Sequence, residues 1–192
     1  MLPSSPHIHL KYKLAVSGAA ETGHCAPDAL EKTKELGREI IRHKSILVTG
    51  ATTGAPLWAA IGAKEEGGFV VGISPAASEK DHVENYKLPV DYHDVIMYAA
   101  SGYSLRNLFM TRFADAVLVT CGRMGTLNEF TIAFEDDKPI GILTGVGGTT
   151  DDIQDILNRA HRGMGKVVFD ADPKTLVEKV IEMVKKEKVV EI

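Results

Sequence analysis

Between residues 121 and 129 the chain reads Cys-Gly-Arg-Met-Gly-Thr-Leu-Asn-Glu. Gly122 and Gly125 flank Arg123 and Met124, and Thr126 follows at the mouth of an apolar, helix-forming stretch. Glycines let backbone amides approach an anion closely and reach positive φ. The first turn of a helix adds unpaired N–H groups and a partial positive charge. Together they predict a phosphate cradle, in which the Thr126 hydroxyl donates to an oxygen and Arg123 offers a guanidinium fork. The spacing Thr126-x-x-Glu129 also reads as a capping box. The two readings are compatible, because a bound phosphate could take the amides that a cap would satisfy.

Two more glycine-bearing loops belong with it. Gly50-Ala51-Thr52-Thr53-Gly54 follows an apolar run and reads either as a strand-to-helix turn or as a second anion loop through Gly50, Thr52, Thr53 and Gly54. No Gly-Lys-Ser/Thr follows, so it is not a P-loop. Gly18-Ala19-Ala20-Glu21-Thr22-Gly23 spaces its glycines five apart, which does not match the dinucleotide fingerprint and argues against an NAD enzyme. Gly18 and Ala19 remain candidate binding positions. Arg106 lies near the start of a helical stretch, where a cation gains nothing from the helix dipole. It reads either as a surface ion-pair partner or as a site residue. The histidines, at 7, 9, 24, 43, 82, 93 and 161, show no metal-ligand spacing, so no metal is expected.

The elements that must position these loops alternate short apolar runs with amphipathic ones. Strands are expected at Tyr12–Ser17, Ser45–Thr49, Phe69–Ile73, Val95–Tyr98, Ala116–Thr120, Pro139–Leu143 and Val167–Phe169. Helices are expected at Pro27–His43, Pro56–Glu66, Ser104–Phe113, Leu127–Glu135, Asp151–His161 and Pro173–Lys186. Residues 76–92 read as a long irregular loop. Alternation of this kind implies parallel crossovers, and continuous apolar strands such as Ala116-Val117-Leu118-Val119 imply a sheet covered on both faces. The expected fold is a single α/β domain over residues 1–192: a three-layer, Rossmann-like, doubly wound parallel sheet of about seven strands. Ligands of such sheets bind beyond the carboxyl ends of the strands, at the switch point. Residues 1–11 read as a loose leader.

A chain of 192 residues is long enough to bury a sizeable core. A net charge of −4 with no basic, aromatic stripe argues against nucleic-acid binding. No apolar run approaches a membrane span. With two cysteines and no signal-peptide pattern, a cytoplasmic protein with free thiols is expected. Cys121 reads as a small buried residue.

The run Asp115–Glu129 resembles the PGGxGTxxE signature of the "Lonely guy" (LOG) family, long labelled "possible lysine decarboxylase". Arg106-Asn107 is similar to the arginine motif of the preceding helix, and the asparagine is more like the branch of molybdenum-cofactor carrier proteins. Gly50–Gly54 and Gly67–Pro75 resemble two further family segments, so the likeness spans roughly residues 12–185. The resemblance implies a Rossmann-like homodimer or higher homo-oligomer that hydrolyses the N-glycosidic bond of a nucleoside 5′-monophosphate to free base and ribose 5-phosphate. Arg106 and Glu129 match the catalytic pair, and Gly122, Gly125 and Thr126 match the phosphate loop. No cofactor is required. Bound phosphate, an AMP-like nucleotide or molybdopterin would suit the cradle, and a non-catalytic nucleotide or molybdenum-cofactor carrier is the alternative. The loop departs from the signature: Thr120-Cys121-Gly122 replaces Pro-Gly-Gly and Arg123 follows, which weights phosphate binding over hydrolysis.

Overall fold

The structure is a computed structural model and describes residues 11–187. Seven strands alternate with seven helices: β1 (Lys13–Ser17), α1 (Ala29–Arg42), β2 (Ile46–Thr49), α2 (Ala55–Glu65), β3 (Val70–Ser74), α3 (Glu79–Glu84), β4 (Val95–Tyr98), α4 (Gly102–Phe113), β5 (Ala116–Val119), α5 (Met124–Glu135), β6 (Ile140–Leu143), α6 (Ile153–Ala160), β7 (Val167–Asp170) and α7 (Pro173–Glu187). Every strand pair is parallel, and the order is β4-β3-β2-β1-β5-β6-β7. The order reverses at β1, whose neighbours are β2 and β5. Leu14 pairs with Ala116 and Ser17 with Val119, so the ends of β1 and β5 finish level with each other.

The sheet is apolar throughout its centre because helices cover both faces. All four residues of β5 and all four of β6 are buried. On one face, Leu36 and Ile40 of α1, Ala59 and Ala63 of α2, and Leu176 and Val180 of α7 pack with Leu14, Leu47 and Leu118. On the other, Met110 of α4, Phe130 and Ala133 of α5, and Ile153 and Leu157 of α6 pack with Val48, Val117 and Ile142. Side chains alternate across a strand, so neighbours Val117 and Leu118 serve opposite layers. Helices α1 and α2 meet almost backbone to backbone: a Cβ added at Gly37 would lie 2.0 Å from the Ala59 carbonyl oxygen. This is the three-layer doubly wound sheet that the sequence predicts.

Three sequence expectations need correction. The stretch 76–92 is not wholly irregular, because α3 lies within it. Ser78 caps that helix by accepting from the Asp81 amide, and the fully buried His82 anchors it. The His82 ring nitrogens contact Ser74 Oγ at 2.8 Å and the Pro89 carbonyl at 2.9 Å. Helix α5 begins at Met124 with Arg123 as its N-cap, not at Leu127. Thr126 is therefore a first-turn residue and not the cap, which removes the capping box. The cysteines are not free thiols: Cys25 and Cys121 form a disulfide across 96 residues. Residues 1–10, most of the expected leader, and residues 188–192 lie outside the described residues.

Candidate functional site

Glu129 sits on the second turn of α5, 5% exposed, and turns back under the sheet end. Its Oε1 meets Arg106 Nη1 of α4 at 3.1 Å, and its Oε2 accepts a hydrogen bond from Ser17 Oγ at the end of β1. With its amide nitrogen turned inward, Asn107 also donates to Oε1 at 2.9 Å and to the Tyr103 carbonyl at 3.0 Å, an orientation that satisfies both acceptors. Burial pushes the Glu129 carboxyl up from its ordinary value of 4.5, while the Arg106 charge and the Ser17 hydroxyl pull it back only in part. A buried pair of this kind is costly to break from one side, by about 3–5 kcal/mol, because the remaining charge is stranded.

Arg106 is 7% exposed and lies flat against Gly50. A Cβ there would lie 2.0 Å from Nη1 and 2.7 Å from Cζ, so the glycine of this loop makes room for a guanidinium. Among the described residues the buried Arg106 Nε–H has no hydrogen-bond partner, although a buried donor of this kind is normally satisfied.

That cleft has a volume of about 320 Å³, inside the range of small-molecule sites. It gathers Gly18 and Ala19 from the loop after β1, Gly50 and Thr52 from the loop after β2, Arg106 from α4, and Arg123, Gly125, Thr126 and Glu129 from the loop after β5 and α5. Three loops far apart in sequence thus meet at the switch point, as the fold dictates. The amides of the first turn of α5, at Met124, Gly125 and Thr126, have no partner within the helix. Among the described residues, nothing beyond its chain neighbours and its own helix backbone lies within 4 Å of where a Gly125 Cβ would be, so the cradle is open on that side.

Arg123, read from the sequence as a phosphate fork, has a protein partner in the structure. Its Nη1 pairs with Glu21 Oε2 at 2.5 Å. Both side chains are more than half exposed, at 54% and 78%, so the pair is worth little and a phosphate could compete for the guanidinium.

The expected site residues do not all reach the cleft. The Met124 side chain is 73% exposed. Gly122 packs under the Thr126 side chain, where a Cβ would come within 2.5 Å of it. Thr53 Oγ1 donates to the Ala20 carbonyl, and Gly54, at φ 69°, caps α2. These residues shape the loops and do not line the cleft. Conversely, Ser17, Glu21, Leu88 and Tyr103 belong to the site without having been singled out, and Asn107, quoted above only for its likeness to a family motif, touches Glu129. Of the four, Ser17 carried a usable signal, a polar residue ending a buried apolar strand.

The cradle loop is braced from both sides. The Ala19 amide donates to the Cys121 carbonyl at 2.8 Å. The Thr149 amide donates to the Gly122 carbonyl at 3.0 Å, and Thr150 Oγ1 donates to the Thr120 carbonyl at 2.5 Å.

Parallel strands that deliver their loops to one cleft at the switch point place the molecule among the Rossmann-like α/β proteins. Within that class the chain belongs to the SLOG cluster4 family, a LOG-related family whose model matches residues 11–177. The solved structure of the molybdenum cofactor binding protein from the phototrophic bacterium Rippkaea orientalis is similar, with 26% identity, a TM-score of 0.73, and coverage of 93% of this chain and 98% of that one. The molybdenum cofactor carrier protein of Chlamydomonas reinhardtii shares the fold at 24% identity, with a TM-score of 0.72 over 91% of this chain and 99% of that one. A protein of Archaeoglobus fulgidus is 29% identical over 131 residues, which is 68% of this chain and 81% of the relative. The chain is thus a LOG-like protein with a Rossmann-like fold.

Proposed function

We propose that the cleft binds a nucleoside 5′-monophosphate and that the protein hydrolyses its N-glycosidic bond. The observation that carries this reading is the position of Glu129: a buried carboxylate on the cleft wall, held by Arg106 and Ser17, one helical turn beyond the amides of the cradle. The first turn of α5 and Arg123 take the phosphate. The ribose then lies along the cleft toward Glu129. Water bonds to the anomeric carbon as the carbon–nitrogen bond breaks with its electron pair going to the base. Glu129 accepts the water's proton and stabilises the positive charge that develops on the sugar, and that proton passes through solvent to the departing base, so that the base leaves neutral and the carboxylate is restored. Arg106 holds the carboxylate in place.

Incubation with AMP, GMP, CMP and UMP, with free base followed by chromatography, tests the reading. Base release is expected, and Glu129→Ala is expected to lower it by at least about 10²-fold. Release that survives the substitution overturns the residue assignment, and no release from any monophosphate overturns hydrolysis.

The second reading is a carrier that holds a phosphorylated pterin cofactor without turnover. It is supported by the likeness to the Rippkaea orientalis protein and by Arg123, a second cation beside the cradle. The residues present fit the cofactor's phosphate: the first turn of α5 at Gly125 and Thr126 is available to it, and Arg123 lines the cleft beside them. Molybdenum chemistry would come from the cofactor, with Thr126, Arg123 and Arg106 holding its phosphate. Calorimetry with a pterin phosphate and with AMP separates the readings, since tight pterin binding with no base release favours the carrier.

The proposed partner is a second copy of the chain. Its proposed seat is the apolar side of α4, where Leu105, Phe109 and Phe113 are 45%, 40% and 44% exposed.

A further inference from the structure

The disulfide does not stand alone. His24 Nε2 lies 3.6 Å from Cys121 Sγ, and the imidazole nitrogen and the two sulfurs all fall within 4.8 Å of one another. Spacing along the chain gives no hint of this set, because residues 24 and 25 come from the loop after β1 and residue 121 from the end of β5.

The backbone that carries the three side chains is fixed by bonds other than the disulfide. The Cys25 amide donates to the Thr22 carbonyl at 2.9 Å, the Ala26 amide to the Val146 carbonyl at 2.9 Å, and the Ala19 amide to the Cys121 carbonyl at 2.8 Å. Cys25 also bridges Gly147, and Gly122 bridges Gly148. A Cβ on Gly148 would approach His24 Nε2 to 3.1 Å, so the glycine leaves the ring its space. Opening the disulfide therefore leaves two thiols and an imidazole facing one another on a held frame.

We propose that, with the disulfide reduced, Cys25, Cys121 and His24 form a three-ligand site for a thiophilic divalent cation of the zinc class, its fourth position open to water. Two thiolates and one imidazole suit such an ion, and three protein ligands leave a tetrahedral position free. Tetrahedral geometry with metal–sulfur bonds of about 2.3 Å sets sulfur–nitrogen edges near roughly 3.5 Å and sulfur–sulfur edges near roughly 3.8 Å. The His24–Cys121 edge already stands at 3.6 Å. The sulfurs must separate, and Cys25, half-buried while Cys121 is buried, is the side chain with room to turn.

The steps balance. A dithiol reductant supplies two electrons and two protons to the disulfide and itself becomes a disulfide. The cation then displaces both thiol protons, and His24 gives up the contact of Nε2 with the Gly122 carbonyl, now 3.2 Å, to bind as a neutral ring with its proton on Nδ1. One sulfur pair thus serves two alternative clasps between the loops after β1 and β5, a covalent one when oxidised and a metal one when reduced.

The test uses the full chain, reduced with dithiothreitol and desalted without oxygen, then titrated with Co²⁺ and afterwards Zn²⁺. Expected are a thiolate-to-cobalt charge-transfer band in the near ultraviolet, tetrahedral ligand-field bands in the visible, a stoichiometry of one ion per chain, and displacement of cobalt by zinc. The oxidised wild-type protein should show none of these, a control that needs no substitution. Cys25→Ser should weaken the charge-transfer band by about half or more, and His24→Ala should keep thiolate bands but weaken binding by about tenfold or more. Circular dichroism checks that each variant is folded. Absence of the charge-transfer band in reduced wild type, or equal binding by oxidised protein, overturns the proposal.

Discussion

At the scale of single residues, two glycines of the site do opposite things. Gly50 yields its side-chain volume to Arg106. Gly50→Ala is expected to push the guanidinium off Glu129, cost about 1–3 kcal/mol of stability and weaken ligand binding, as read by urea unfolding and calorimetry. Gly125 faces open space in the first turn of α5. There Gly125→Ala should leave stability unchanged or raise it by up to about 1 kcal/mol, since alanine favours helix, yet weaken phosphate binding by crowding the cradle. Glu129 carries a pH signature. Its folded-state carboxyl is raised above 4.5, chiefly by burial, so folding favours the protonated form relative to the unfolded chain. The stability this lends is fully present below the unfolded value and is lost as pH rises through the folded one. The unfolding free energy of wild type relative to Glu129→Gln should therefore fall across that window, and a flat difference would contradict the assignment. Of these residues, the glycines were legible from their loop spacing, Arg106 from a cation at a helix start, and Glu129 and Asn107 from the family resemblance. Ser17 stayed hidden, because its contribution lies only in what it touches.

At the scale of elements, the strands and most helices were readable because burial on two faces, or on one stripe, writes itself into apolar periodicity. Helix α3 escaped because it spans six residues and is anchored by a hydrogen-bonded histidine where an apolar stripe would be expected. The start of α5 was misplaced because Arg123, an uncommon N-cap, stands before a helix whose first turn contains a glycine. Helix α4 carries apolar residues on its solvent side as well as toward the core, so it shows no strong amphipathic stripe. Leu105 and Phe109, four apart, share one exposed face. If a second copy covers that face, Leu105→Asp should yield a monomer by light scattering with the fold intact. An unchanged mass would move the interface elsewhere.

At the scale of the whole molecule, the reversal of strand order at β1 assembles the site, since it draws the loops after β1, β2 and β5 to one place. That much follows from alternating elements. The pairing of Cys25 with Cys121 does not, because nothing local to either cysteine announces a partner 96 residues away. Closing so long a loop restricts the unfolded chain. Reduction without metal should lower the unfolding free energy by about 2–4 kcal/mol, measured by urea denaturation with and without dithiothreitol.

The braces on the cradle loop have a consequence in time. Carbonyls of Thr120, Cys121 and Gly122 are each held by a donor from a neighbouring loop, so the order that a phosphate requires is set when the chain folds and not when the ligand arrives. Binding then spends little of its free energy on ordering the receptor. Encounter and capture become one event, with ligand lifetime governed by the contacts themselves and not by the opening of a gate.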